Sequence, residues 1–377
     1  MQKGIHAVCF SSKNNFIFLG KGDLLNEIEK RSLKIIEEAL DRQVSDIHFQ
    51  PKENYIQLQF RIAGELHPYI QIKEQLYTKM LSHFKFQANM DIGEKRRPQN
   101  GALTLSFHGK KVSIRLSTMP TPFNESLVLR LLPQENNFSF KDLFLFPNPA
   151  NRMPALIQEQ AGFMILTGPT GSGKTTTIYA LLHQAVSKYN RRVLTIEDPV
   201  EKISDSFTQL EVNERAGITF SEGFKASLRH DPDIIMIGEI RDGETAKIAI
   251  KAALSGHLII TTMHAKNTIG ALYRLLEFGI SFSDIQQTVT AVATQNLINT
   301  ICPNCKGSCG PQCSSQTKRR LAVFELLSDQ NLIEALAHIY NPKNPLPTYP
   351  TLRDEINKAI QLGYLPKDYN ERWNDAS

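Results

Sequence analysis

The chain has 377 residues, 41% hydrophobic and 21% charged, an ordinary balance for a globular protein with room for two or three domains. Its longest apolar runs, such as FMIL and DIIMI, are far too short to cross a bilayer, and MQKGIHAVCFSSKNNFIFLG at the N-terminus lacks the continuous apolar stretch and small-residue cleavage site of a signal peptide. The net charge of +5 permits an acidic partner without requiring nucleic acid. The cytoplasm is therefore the expected compartment, where clustered cysteines suggest a metal before a disulfide.

Residues 1–22 fit poorly with the downstream pattern and read as an arm. In DLLNEIEKRSLKIIEEALDR, Leu25, Ile28, Ile35, Ile36, Ala39 and Leu40 recur at helical spacing. In YIQLQFRI, Ile56, Leu58, Phe60 and Ile62 alternate onto one face, as in a strand. GALTLSFHGKKVSIRLST holds two alternating runs about His108-Gly109-Lys110, a hairpin signature. SLVLRLL adds a further strand, so 23–133 predicts a small α+β domain. The proline- and asparagine-rich residues 134–150 read as a linker. From 151 to 300, apolar strands alternate with helices: FMILTG, helix, RRVLTIED, helix, DIIMIGEI, helix, GHLIITTMH. That order predicts an α/β domain with a mostly parallel sheet. A cysteine loop spans 301–320, and 321–377 read as helical.

The segment TGPTGSGKTTT lies between a predicted strand and a predicted helix and fits the phosphate-loop pattern. Gly168, Pro169, Thr170, Gly171, Ser172, Gly173, Lys174, Thr175 and Thr176 are the candidate nucleotide-binding residues. Glycines let successive backbone N–H groups turn toward phosphate oxygens, and the helix N-terminus adds its dipole. Lys174 would reach the β- and γ-phosphates and Thr175 would put a hydroxyl on Mg²⁺. Acidic partners lie at two predicted strand ends. Glu239, after Ile234–Ile237, would hold the hydrated Mg²⁺. Glu197 would orient or deprotonate the attacking water, with Asp198 and Glu201 as alternatives. His257 and His264 flank a strand, and either could sense the γ-phosphate. Lys95-Arg96-Arg97 and Lys318-Arg319-Arg320 are short basic runs. A direct nucleic-acid motor is the different-class alternative, but no nucleic-acid-binding motif accompanies them, and no direct nucleic-acid contact is expected.

The order of these motifs resembles the hexameric ATPases of type II secretion and type IV pilus systems. TGPTGSGKTTT resembles that family's Walker A, TIEDPVE its acidic box, LRHDPDIIMIGEIRD its Walker B and SGHLIITTMHAKN its histidine box. Upstream, SDIHFQP, RRPQNG, Arg115 and Arg130 resemble its N-terminal domain. The resemblance spans about residues 24 to 365. MLSHFKFQANMDIGEKRRPQNGALTL is similar to the subgroup that drives the competence pseudopilus of Gram-positive bacteria, and the absence of a preceding docking domain suits that subgroup. Ala63, Asn100 and Asn296 depart from the wider pattern, the first two where aspartate and the third where arginine is usual.

The resemblance implies a PAS-like N-terminal domain before a RecA-like domain, six subunits in a ring, and ATP and Mg²⁺ between the two domains of each subunit. Arg115 and Arg130 would act as arginine fingers, a role suited to a permanently charged, bidentate guanidinium. It also implies a polytopic membrane platform protein as partner and a peripheral position on the cytoplasmic face of the membrane. Assembly motors of this family commonly carry a zinc-binding cysteine insertion. Here Cys302, Cys305, Cys309 and Cys313 form a compressed version, with Gly307 and Gly310 supplying freedom to fold round an ion. Structural zinc is the leading reading, with reduced thiols and disulfides as the others.

Overall fold

A computed structural model describes residues 9–12, 15–18, 27–62, 64–107, 109–133, 140–213, 216–302, 304–305 and 320–369. They fall into two compact units divided after Asn136.

The first unit is an antiparallel sheet with two helices. Its strands are β1 (Cys9–Ser12), β2 (Asn15–Phe18), β3 (Asp46–Pro51), β4 (Ile56–Ile62), β5 (Glu65–Ile72), β6 (Gln99–Phe107), β7 (Lys110–Pro120) and β8 (Glu125–Pro133), in the order β2-β1-β6-β7-β8-β3-β4-β5. The alternation in YIQLQFRI turns Ile56, Leu58, Phe60 and Ile62 onto a core with Ile47, Phe49, Ile114 and Leu129. α1 (Glu27–Asp41) and α2 (Glu74–Gln87) contribute Ile35, Ile36, Ala39, Tyr77, Met80 and Phe84 to the same core. The other face is polar, and cross-strand register sets Arg115, Arg130, Asp46 and Arg61 in one row over β7, β8, β3 and β4. At the β6–β7 turn Gly109 has φ +81°, the left-handed conformation that glycine adopts without cost; His108 and Ala63 lie outside the described residues. The stretch read as an arm contributes β1 and β2, an antiparallel pair joined to β6 at Ser11 and Thr104.

The second unit has a seven-stranded sheet, β11-β10-β12-β13-β9-β14-β15. Its strands are β9 (Gly162–Thr167), β10 (Val193–Glu197), β11 (Thr208–Glu211), β12 (Ile234–Ile237), β13 (Leu258–Met263), β14 (Val289–Asn299) and β15 (Arg320–Ser328). All pairings are parallel except β14–β15. Both faces are covered, which is why FMIL, VLTI and IIMI are apolar without alternation. Met164, Leu166, Met236 and Ile260 face the cluster under α4 (Lys174–Tyr189). Phe163, Ile165, Ile235 and Ile259 face the one formed with α6 (Gly243–Leu254) and α7 (Thr268–Glu277).

Three further stretches differ from the sequence reading. Residues 140–150, read as linker, hold a 3-10 turn and the start of α3 (Pro147–Leu156). Phe140, Phe144 and Phe146 are buried there, and Phe144 bridges to Ala322. The aromatic side chains outweigh the local proline and asparagine signal. Between β10 and β12 the chain forms β11 before the short helix α5 (Phe220–Ser227). After α8 (Phe282–Thr288) and β14, the C-terminal part opens with β15, paired along its length with β14, before α9 (Asp329–Tyr340) and α10 (Leu352–Gln361). The cysteine segment is therefore the connection of an antiparallel hairpin.

Candidate active site at the phosphate loop

The C-terminal ends of the central parallel strands carry the site, as expected for an open α/β sheet. β9 ends at Thr167 and the chain turns through Gly168 (φ +137°), Gly171 (φ +78°) and Gly173 (φ +83°) into α4. Gly173 is the N-cap of α4. That helix has no side-chain cap and no acidic residue in its first turn. Elsewhere α6, α7 and α10 begin with Asp242, Asn267 and Thr351, whose side chains accept from the helix backbone. The first intrahelical bond of α4 runs from Thr177 N to Gly173 O. The N–H groups of Lys174, Thr175 and Thr176 are thus uncapped at the positive end of the helix dipole, an arrangement that suits an anion. Lys174 Nζ donates to Gly168 O at 2.8 Å and Pro169 O at 3.0 Å. Burial pushes the Lys174 pKa down, and the Glu239 and Glu201 carboxylates oppose that shift.

Glu239 follows β12. One carboxylate oxygen contacts Arg241 Nη2, and the other lies 3.5 Å from His264 Nε2. Arg241 also lies 3.9 Å from Asp198 Oδ2, so it bridges the acidic segment after β10 and the one after β12. The intact GEIRD sequence contains this arginine, and its position two residues from Glu239 is the signal that singles it out.

Glu197 is the last residue of β10 and is only 3% exposed. Its Oε1 accepts from Tyr179 OH at 2.7 Å, Thr195 Oγ1 at 2.7 Å and Gln209 Nε2 at 3.4 Å. Its Oε2 accepts a longer bond, 3.5 Å, from Glu201 N. Burial pushes the Glu197 pKa up, and these hydrogen bonds hold it back.

The two histidines separate. β13 places His264 just past its C-terminal end beside Glu239, whereas His257 precedes its first residue, roughly 20 Å away along the strand. His257 Nδ1 instead meets Ala252 O at 3.2 Å. Of the two, His264 is the one at the sheet edge that carries Glu239.

In the first unit, Arg130 Nε donates to Asp46 Oδ1 at 2.7 Å and Arg61 Nε lies 3.8 Å from Asp46 Oδ2. Arg115 faces Arg130 across the strand pair. Of the four clustered cysteines, Cys302 is buried and Cys305 exposed, and Cys305 N donates to Cys302 Sγ at 3.4 Å. Cys309 and Cys313 lie outside the described residues. Among the described residues, no group of three or more histidine, cysteine, aspartate or glutamate side chains could hold a metal ion.

An uncapped, glycine-rich strand-to-helix turn, with carboxylates on the neighbouring strand ends, has the build of a P-loop phosphate site. The chain belongs to the type II/IV secretion system protein family, whose sequence model matches residues 23–366. It is 46% identical over 352 residues to "Competence protein ComGA" of Bacillus subtilis, covering 93% of this chain and 98% of that protein. It is 39% identical over 299 residues to "Type II secretion system protein E" of Aeromonas hydrophila, covering 79% of this chain and 59% of that protein. In fold it is similar to the Legionella pneumophila ATPase DotB, with a TM-score of 0.73 at 20% identity over 95% of this chain and 98% of the other. A bound-ADP structure of the pilus retraction motor PilT gives 0.66 at 24% identity, over 89% and 94%. Among the described residues no helix is long and apolar enough to cross a membrane.

Proposed function

We propose that this chain is the motor of a competence pseudopilus: a cytoplasmic homohexamer that hydrolyses ATP to ADP and phosphate and converts the energy into domain motion driving pseudopilus assembly for DNA uptake. Its position is peripheral, through a polytopic membrane platform protein. The observation that carries the ATPase part is the uncapped N-terminus of α4 behind Gly173. The cargo assignment rests on the full-length similarity to the B. subtilis competence protein.

The residues fit the nucleotide. The N–H groups of Gly173 to Thr176 and Lys174 Nζ bind the phosphates. Thr175 and Glu239 hold Mg²⁺, which when bound neutralises charge on the β- and γ-phosphates. Glu197 takes the role of base through Oε2, its less engaged oxygen. Arg241 keeps the Glu239 carboxylate turned toward His264. Arg115 and Arg130 supply the cations that couple hydrolysis to domain rotation.

The cysteine segment binds structural zinc. The Cys305 N–H to Cys302 Sγ bond supports this, because a backbone donor stabilises the thiolate that a metal requires. Purified protein is expected to carry one zinc per chain, lost in the Cys302→Ser/Cys305→Ser variant; metal analysis finding no stoichiometric zinc in the parent protein would defeat this assignment. A motor for type II secretion is the second reading, favoured by the similarity to the A. hydrophila protein.

The deciding experiment is natural transformation in the parent organism carrying Lys174→Ala at the native locus, with protein level checked. Loss of DNA uptake with secretion intact is the expected result. Normal uptake would move the cargo to secretion or a pilus.

A further inference from the structure

The phosphate loop is held from behind by two side chains of the β14–β15 hairpin. Gln295, in the middle of β14, is 1% exposed, and its Nε2 donates to Ser172 O at 2.6 Å. Ser172 O can only accept, which fixes the orientation of the amide. Arg320, the first residue of β15, donates from Nη2 to Gly171 O at 3.2 Å. The backbone is equally close: a Cβ on Gly168 would lie 2.2 Å from Gln295 O, and one on Gly173 would lie 3.0 Å from Gln295 Nε2.

We propose that Gln295 and Arg320 are positioning residues for nucleotide binding, acting by pinning the carbonyls of Ser172 and Gly171 on the hairpin side of the loop. The peptide unit is planar and trans, so each carbonyl points opposite to the N–H of the next residue. Fixing Ser172 O therefore aims Gly173 N–H away from the hairpin, into the loop. Fixing Gly171 O does the same for Ser172 N–H, which indeed turns inward to Pro169 O at 3.2 Å. A donor on the carbonyl also polarises the peptide and strengthens its N–H as a donor to phosphate. Two inward amides next to an uncapped helix N-terminus thus depend on two strands more than a hundred positions away in sequence. The Ser172 hydroxyl and Gln295 Oε1 are buried with no hydrogen-bond partner among the described residues.

The inference rests on the ATPase reading, and the test separates the two. ATP turnover and ADP affinity are measured on purified full-length protein, with wild type, Gln295→Met, Arg320→Met and Arg320→Lys. Wild type that fails to hydrolyse ATP would remove the ATPase reading itself. With active wild type, Gln295→Met keeps the side-chain volume but orphans a buried carbonyl, and about a tenfold rise in the ADP Kd and in KM is expected, larger than any fall in kcat. Arg320→Met, at an exposed position, is expected to raise both about threefold, and Arg320→Lys to recover most of that loss. The melting temperature of Arg320→Met without nucleotide stays near wild type, that of Gln295→Met falls, and the ADP-induced rise shrinks in both. If either Met variant folds and binds ADP as wild type does, that residue has no positioning role. If Gln295→Met does not fold, the Arg320 pair decides: equal ADP affinity of Arg320→Met and wild type overturns the proposal.

Discussion

Replacing Gly168 with alanine tests how tightly the phosphate loop is built against β14. The added methyl would sit 2.2 Å from Gln295 O, whereas a carbon–oxygen contact needs about 3.3 Å, so the loop or strand must shift by about 1 Å. β14 is held by β9 on one side and β15 on the other, so the loop is the part that moves. The φ of +137° adds a conformational cost of about 1–3 kcal/mol for a residue with a side chain. A displacement of this size at groups that orient a reacting phosphoryl lowers the rate on the order of 100-fold. Gly171→Ala is the control: its φ is +78°, but its methyl would meet nothing within 4 Å, leaving only a backbone cost of about 1–2 kcal/mol. Steady-state ATPase assays of both variants are expected to give a kcat/KM loss on the order of 100-fold for Gly168→Ala and about tenfold or less for Gly171→Ala. Gly168→Ala within about threefold of wild type would refute the close-approach argument.

Glu197→Gln is expected to bind ATP normally and turn it over slower by orders of magnitude; normal hydrolysis would remove Glu197 as the base. The same variant has a stability signature. Burial raises the folded pKa above the unfolded value of 4.5, so the folded chain binds this proton more tightly, and stability from this group is greatest below that value and falls as pH rises through the folded pKa. Glu197→Gln removes that slope, which denaturation at several pH values would reveal as greater stability than wild type at neutral pH. Lys85→Met should cost about 3–5 kcal/mol, because Lys85 Nζ meets Glu125 Oε1 at 2.6 Å with both groups buried, and Glu125 would be left as an unpaired buried charge. Lys85→Met/Glu125→Leu should recover most of that loss in the same calorimetric scan. A double variant no more stable than the single would refute the pairing argument.

The α/β fold class and its parallel strands are legible in the sequence because a strand covered on both faces must be apolar throughout, and few other structures produce FMIL, VLTI and IIMI at this spacing. The half-buried strands of the first unit are legible from alternation for the complementary reason. Residues 140–150 are not, since prolines and asparagines signal irregular backbone whether or not neighbouring phenylalanines are buried. β15 is hidden because its pairing with β14 spans the cysteine segment, a contact between residues that local pattern cannot connect. At the site, phosphate loop and carboxylates are local motifs and can be quoted from the chain. Gln295, Arg320 and Tyr179 reach it from other elements, so only the folded chain brings them to Ser172, Gly171 and Glu197.

Direction along the strand decides which polar residues can share this chemistry. Parallel pairing puts the C-terminal ends of β9, β10, β12 and β13 along one edge, so Gly168, Glu197, Glu239 and His264 lie at or just past strand ends that are neighbours. His257 has the same side chain as His264 and lies beside the same strand, yet it is at the other end. Threonines at the working edge tie its loops together: Thr167 Oγ1 both donates to Ala265 O at 2.8 Å and accepts from Ala265 N at 2.9 Å, and Thr262 Oγ1 donates to Gly238 O at 2.6 Å. The last residue of the phosphate strand thus shares a hydroxyl with the residue after His264, and the strand bearing His264 holds the residue before Glu239. These hydrogen bonds connect the segment after β9, which leads to Lys174, with the segments that carry His264 and Glu239. Under the proposed motor function, occupancy of the phosphate site has to alter backbone elsewhere, and these threonine ties are the contacts through which the strand-end loops meet.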